Sequence, residues 1–219
     1  MESSISNVRS KARLTADFLR ERLAETALPR DPLAVTMPAG SDRWPKKMRR
    51  QLSAGLKPAG VLIPIMERSD ELTVLLTQRS ADLKHHPGQV SFPGGRMEEH
   101  DDDVRVTALR ETHEEVGIEP AHVSVIGYLD SMPTITGYAV TPVVGLVRHA
   151  VELSIDRTEV DYAFEVPLEF LLDARNDRPV EREFEGLTVT MMELHFEGQR
   201  IWGATAMMLQ AFRKKVLKQ

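Results

Sequence analysis

The apolar and polar positions divide the chain into a helical opening, a proline-rich stretch, a series of short strands around one acidic helix, and a closing helix. Residues 5–28 carry Val8, Ala12, Leu19 and Leu23 on one side at helical spacing, and Leu14 and Phe18 widen the apolar band. This first helix is expected to pack on the main domain, a dimer contact being its alternative role. Residues 29–47 hold four prolines and read as an irregular linker. The basic run Lys46, Lys47, Arg49 and Arg50 reads as a solvated face, with contact to an anionic ligand as the alternative.

From Ala59 the pattern becomes that of strands. Residues 60–65 and 72–77 are short apolar runs separated by the turn Glu67-Arg68-Ser69-Asp70. Residues 80–87 form a polar loop, and 89–92 another short strand. Residues 123–129 and 140–147 also read as strands, with 131–138 between them as a loop of the kind that lines a site. Pro142 inside the second of these predicts an edge or a bulge, because proline cannot donate to a ladder. A strand over 159–166 leads to Pro167 at the first turn of a short helix, 168–173. Residues 180–184 and 187–196 suggest a late hairpin that ends at Ile201. The last helix opens at Trp202 and buries Thr205, Leu209, Phe212 and Val216, with Arg213, Lys214, Lys215 and Lys218 near its negative end. No internal repeat and no regular βαβ alternation appear.

The acids are unevenly placed. Nine of the chain's 33 fall between Glu98 and Glu119, more than a solvated face requires. Asp101, Asp102 and Asp103 suit the start of a helix that stops at Gly117. Arg105, Ala108, Leu109, Thr112 and Val116 predict its core-facing stripe. Glu111 and Glu115, four apart, project from a neighbouring face with Glu114 beside them. Such clustering is tolerated best around a hard cation; a charged helix surface is the plain alternative.

Composition narrows the classes. The net charge of −5 argues against a general nucleic-acid binder. The absence of cysteine excludes disulfide and thiol chemistry and fits a cytoplasmic location. No apolar run approaches the roughly 20 residues that span a bilayer, and the N-terminus lacks a signal-peptide core. His85 and His86 point apart in an extended segment, which leaves them to the surface or to a phosphate contact rather than to a metal.

Gly95, Arg110, Glu111, Glu114, Glu115, Gly117 and Ile118 resemble the Nudix box, G-x5-E-x7-R-E-U-x-E-E-x-G-U. Asp101 stands where the box has Glu, the interval to Arg110 is one residue too long, and Thr112 replaces a bulky aliphatic residue. Upstream, Leu75-Leu76-Thr77-Gln78-Arg79-Ser80, Lys84, Gly88 and Phe92-Pro93-Gly94-Gly95 resemble the signature of the coenzyme A pyrophosphatase branch, with Lys84 in place of Arg. Val140 to Gly145 and Trp202 to Ala206 are also similar to that branch. The resemblance implies an α/β (α+β) fold, a mixed sheet sandwiched between helices, with residues 1–57 as N-terminal helix and linker and 58–219 as the domain.

It also implies a small-molecule substrate, no nucleic-acid or membrane partner, and Mg2+ or Mn2+ as cofactor. Glu111 and Glu115 are the expected metal ligands, with Glu114 as an auxiliary. Arg110 is expected to orient a box carboxylate, and Glu114 and Glu159 are both open as the base. Gly94 and Gly95 allow backbone to approach phosphate, and Arg79, Lys84 and Arg96 are the expected contacts to a 3′-phosphate. Met132 to Tyr138 would wall the pantetheine arm. The implied reaction is hydrolysis of CoA and acyl-CoA to 3′,5′-ADP and 4′-phosphopantetheine. Alternatives are another nucleoside diphosphate such as ADP-ribose, an oxidised nucleotide, a silent ligand-sensing domain, or an interaction protein built on the first helix, which includes a homodimer.

Overall fold

The computed structural model describes residues 14–38, 40–83, 85–148, 151–184 and 186–218. Val8 and Ala12 of the expected first helix lie outside these. Helix α1 (Ala16–Leu23) is followed by α2 (Lys46–Gln51), β1 (Lys57–Glu67), β2 (Leu72–Arg79), β3 (Val90–Ser91), β4 (Gly94–Arg96) and α3 (Val104–Val116). After these come β5 (Val123–Tyr128), β6 (Met132–Pro133), β7 (Tyr138–Val147), β8 (Val160–Pro167) and α4 (Leu168–Leu172). Strands β9 (Arg178–Phe184), β10 (Leu187–Phe196) and β11 (Gln199–Ile201) precede α5 (Gly203–Leu217).

Eight strands form one mixed sheet in which β3-β2-β1-β7-β5 is the main path, with β4 on β1, β6 on β7 and β8 on β2. Strand β1 is its axis. It runs parallel to β7 from Lys57 to Met66, and antiparallel to β2 at one end and β4 at the other. Its near-continuous apolar run follows from helices on both faces. Ala59, Val61, Ile63 and Ile65 share a core with Leu19 and Leu23 of α1 and Leu209, Phe212 and Val216 of α5. The alternate residues turn the other way: Leu62 meets Ala108 of α3, and Met66 joins the cluster containing Val116. The period-2 alternation of one strand thus builds both helix layers of the sandwich.

Three expectations change. Residues 24–28 do not continue α1; the Thr26 hydroxyl instead accepts from Tyr128 N at 3.0 Å, which seats the segment on β5. The basic run at 46–50 is a short helix whose Met48 is buried with Leu52 and Val189, so only its cationic side faces water. Pro142 lies in an interior strand rather than on an edge. Its carbonyl accepts from Leu129 N at 2.9 Å, just past the end of β5. The register shift of the β5–β7 pair lies in β5, between Val125 and Gly127, opposite Gly145 and Val144 rather than at Pro142. Among the described residues no helix is long and apolar enough to cross a membrane.

Helix α3 sits directly on β1. A Cβ on Gly60 would lie 2.1 Å from the Val104 carbonyl oxygen and 3.1 Å from Ala108 N, both backbone atoms of α3. Gly60→Ala must therefore push the helix away. We expect a stability loss of about 1–3 kcal/mol, read from a shifted denaturation midpoint; an unshifted midpoint would contradict this packing.

Candidate active site

Helix α3 begins at Asp103, whose carboxylate accepts from Arg105 N at 2.8 Å and Val106 N at 3.0 Å. It ends at Gly117, whose φ of 75° is the left-handed stop that glycine supplies. Its buried face differs from the expected stripe. Ala108, Thr112 and Val116 are buried as expected, but Arg105 is exposed and Leu109 half-buried, while Val104, Thr107 and Glu115 are buried instead. The close seating on Gly60 rotates the helix so that Glu115 lies on the inward side, 2 % exposed. Thr112, the polar substitute in the box, donates its hydroxyl to Ala108 O at 2.6 Å and so brings no unpaired group into the core.

The first of the three aspartates has a separate task. Asp101 turns inward, its side chain fully buried, and receives Arg110 by two parallel bonds, Nε to Oδ1 at 3.0 Å and Nη2 to Oδ2 at 2.9 Å. The Glu98 backbone N–H and the Thr107 hydroxyl also donate to Asp101. Arg110 above all, with these neighbours, holds the Asp101 carboxyl well below the ordinary carboxylate range. The extra residue in the loop and the shorter side chain are accommodated together, and a bidentate pair forms all the same. Nη1 of Arg110 is 2.9 Å from both Glu111 Oε1 and Glu114 Oε2. Arg110 therefore spans Asp101 and two box glutamates. The anchoring role of Asp101 was visible in sequence only as an imperfect box position.

Glu111 lies against the glycine turn. A Cβ on Gly95 would meet its carboxylate at 2.4 Å, so only glycine leaves that oxygen its place. At Gly94 (φ 148°) a Cβ would collide with Gly60 O and Val61 Cα, each 2.5 Å away. Burial raises the Glu111 pKa, and Glu114 and Glu159 add to this against the pull of Arg110. Burial pushes Glu115 up to about 8, with Glu111 and Glu159 contributing and Arg79 opposing. Glu159 is exposed in the turn before β8, where its carbonyl accepts from Ser80 N at 2.8 Å. The fold thus brings Glu159 within electrostatic range of two box acids from which it is distant in sequence.

These residues fit a divalent ion. Glu115 Oε2 is buried without a hydrogen-bond partner, and two carboxylates a helical turn apart are each disfavoured as anions by burial, Glu115 also by Glu111. Among the described residues no three acidic or imidazole side chains gather as a closed cage; Mg2+ typically takes a few carboxylates and keeps water and substrate oxygens. Glu114, 53 % exposed, leans outward to Arg110. Arg79 turns inward to Glu115, whereas Arg96 is half-exposed and paired with Glu98 at 2.9 Å. His85 and His86 are exposed, and Lys84 lies outside the described residues. Residues 132–138 are a tight hairpin rather than an open loop: Met132 and Pro133 are buried, and Ile135 is exposed at the tip.

Asp101→Asn removes one charge of a buried pair and should cost on the order of 3 kcal/mol at neutral pH. A depressed carboxyl pKa stabilises fully above the unfolded value and is lost as pH falls through the folded one. The parent's advantage over the variant should therefore hold from pH 7 to about 5 and narrow only in stronger acid. Denaturation midpoints of both proteins across pH test this, and a gap that already closes between pH 7 and 5 would contradict it.

Residues 56–209 match the family model described as the NUDIX domain. The chain is similar to the uncharacterized Nudix hydrolase NudL of Escherichia coli O7:K1, 41% identical over 150 residues, 68% of this chain and 78% of that one. NudL of Escherichia fergusonii matches with the same identity and coverage. In fold it is similar to a crystal structure of a Nudix hydrolase from M. smegmatis, RenU, with TM-score 0.51 and 19% identity, covering 74% of this chain and 86% of that one. With a family model matched over most of its length and relatives of this identity, the chain belongs to the Nudix hydrolase family.

Proposed function

We propose that this hydrolase cleaves the diphosphate of coenzyme A and its acyl derivatives, releasing 3′,5′-ADP and 4′-phosphopantetheine. Nudix hydrolases act on nucleoside diphosphate-linked small molecules and generally use a divalent ion such as Mg2+ or Mn2+. The choice of CoA is carried by the stretch from Leu75 to Gly95, whose two ends converge: Arg79 faces Glu115, and Gly95 faces Glu111. A substrate diphosphate bound over Gly94 and Gly95 would thus lie among the residues of both sequence patterns.

Glu111 and Glu115 would hold the ion, which supplies charge neutralisation to the diphosphate oxygens and acidity to a bound water. Asp101 fixes Arg110, and Arg110 in turn fixes Glu111, so the ligand geometry is set before substrate arrives. We assign Glu159 as the group that takes the proton from the attacking water. It is exposed and lies within electrostatic range of Glu111 and Glu115, whereas Glu114 is paired with Arg110. Water adds at one phosphorus, the bridging P–O bond breaks, and the leaving phosphate departs with the second product.

Glu111→Gln or Glu115→Gln should lower turnover at least ~10²-fold, the scale of losing a main transition-state stabiliser, with the fold retained. Glu159→Gln should lower turnover while leaving Mn2+ affinity, measured by calorimetry, unchanged. If Glu159→Gln keeps full activity, the base is elsewhere.

CoA differs from ADP-ribose by a 3′-phosphate and a pantetheine arm. With Arg79 turned inward, Arg96 and Lys84, supported by His85 and His86, are the assigned donors to the 3′-phosphate. CoA should be cleaved markedly faster than 3′-dephospho-CoA, and Arg96→Ala or Lys84→Ala should narrow the difference. Equal rates on both compounds, or faster cleavage of ADP-ribose, would replace CoA with another nucleoside diphosphate.

A further inference from the structure

Among the described residues several arginines face buried or nearly buried acids, and Arg79 pairs differently from Arg110 and Arg213. Arg110 grips Asp101 with two bonds of 2.9–3.0 Å. Arg213 in α5 grips Asp177 through both terminal nitrogens. Arg79 lies beside Glu115 but does not grip it. Its Nη1 is 3.6 Å from Oε1, beyond hydrogen-bond length, and both its buried Nε and the carboxylate Oε2 have no hydrogen-bond partner among the described residues. Leaving two complementary buried groups unbonded is unfavourable for both. Between these two side chains charge is compensated without directional bonds, and the Gly94 backbone N–H, not Arg79, donates to the Glu115 carboxylate.

We propose that Arg79 is a placeholder cation, which neutralises Glu115 before a divalent ion binds and yields the carboxylate to that ion. A tightly bonded arginine would compete too strongly with the ion, and no cation at all would leave the buried Glu115, beside Glu111, without an opposing charge. A loose pair avoids both extremes. The position of Arg79 at the end of β2 fixes its backbone, since Arg79 N donates to Gln89 O and Ser80 N to Glu159 O. Only the guanidinium has to move. This role rests on Glu115 as a cation ligand and not on the identity of the substrate. It makes Arg79 a positioning residue that acts through Glu115.

The test needs no substrate. Thermal unfolding of parent, Arg79→Gln, Glu115→Gln and the double variant is followed without metal and in saturating Mg2+, at pH 9 so that proton competition for Glu115 is small. Mg2+ binding is measured by calorimetry. Without metal, Arg79→Gln should melt several degrees below the parent, and this deficit should vanish in the Glu115→Gln background. In saturating Mg2+ the deficit should shrink, because the ion has taken over Glu115. By linkage, Arg79→Gln should then bind Mg2+ more tightly than the parent, about fivefold. A purely structural arginine predicts the opposite: the same deficit with and without Mg2+, and weaker Mg2+ binding through a misplaced Glu115. Either result overturns the proposal. If Arg79→Gln fails to fold, Arg79→Lys, which keeps the charge on a shorter reach, should show the same signs in smaller measure. Failure of CoA as substrate would leave these outcomes untouched.

Discussion

The closeness of α3 to β1 is the constraint on which the site depends. Gly60 lets the helix backbone rest on the strand, and Gly94 lets the following turn fold against Gly60 and Val61. Two consequences follow from that one approach. Glu115 is carried to the inward side of the helix, where water is excluded, and Glu111 is laid against Gly95. A helix held a methyl group further out would present the same glutamates to solvent, where their mutual repulsion would be screened and their affinity for an ion weak.

Concentrating acids in this way creates an electrostatic problem that the arginines manage in two manners. Arg110 is spent on permanence: Asp101 fixes it, and through it Glu111 and Glu114 take set positions. Arg79 offers charge without tight bonds, and Glu115 retains an unbonded oxygen. Burial above all, with Glu111 and Glu159, pushes the Glu115 carboxyl up to about 8 against the pull of Arg79. A site designed only for stability would have opposed that rise with a second bidentate pair.

Much of this was legible in the chain itself. Short-range chemistry decides caps and periods, so the helix ended by Gly117, the strands flanking Glu67–Asp70, the late hairpin and the buried stripe of α5 could all be read from spacing. The box glutamates, Arg110 and the two glycines were likewise visible as a pattern, because the chemistry requires those residue types at those intervals. Helix α2 was not, since its six residues depend on burying Met48 against Val189, more than 140 positions away.

What only the tertiary structure decided is which acids and cations meet. Sequence placed Glu111 and Glu115 on one face, whereas the seating on Gly60 turned Glu115 inward and left Glu111 at the rim. Sequence alone assigns Arg79 no partner within the chain, and the antiparallel pairing of β2 with β8 and the turn at Glu159 place it against Glu115. Asp101 read as one of three helix-start acids, and a loop that absorbs one extra residue made it the anchor of Arg110. Local sequence fixes which groups an element carries and in what rotation relative to one another. The absolute rotation, and hence the partner of each charge, is settled by contacts between segments far apart in the chain, which no local period encodes.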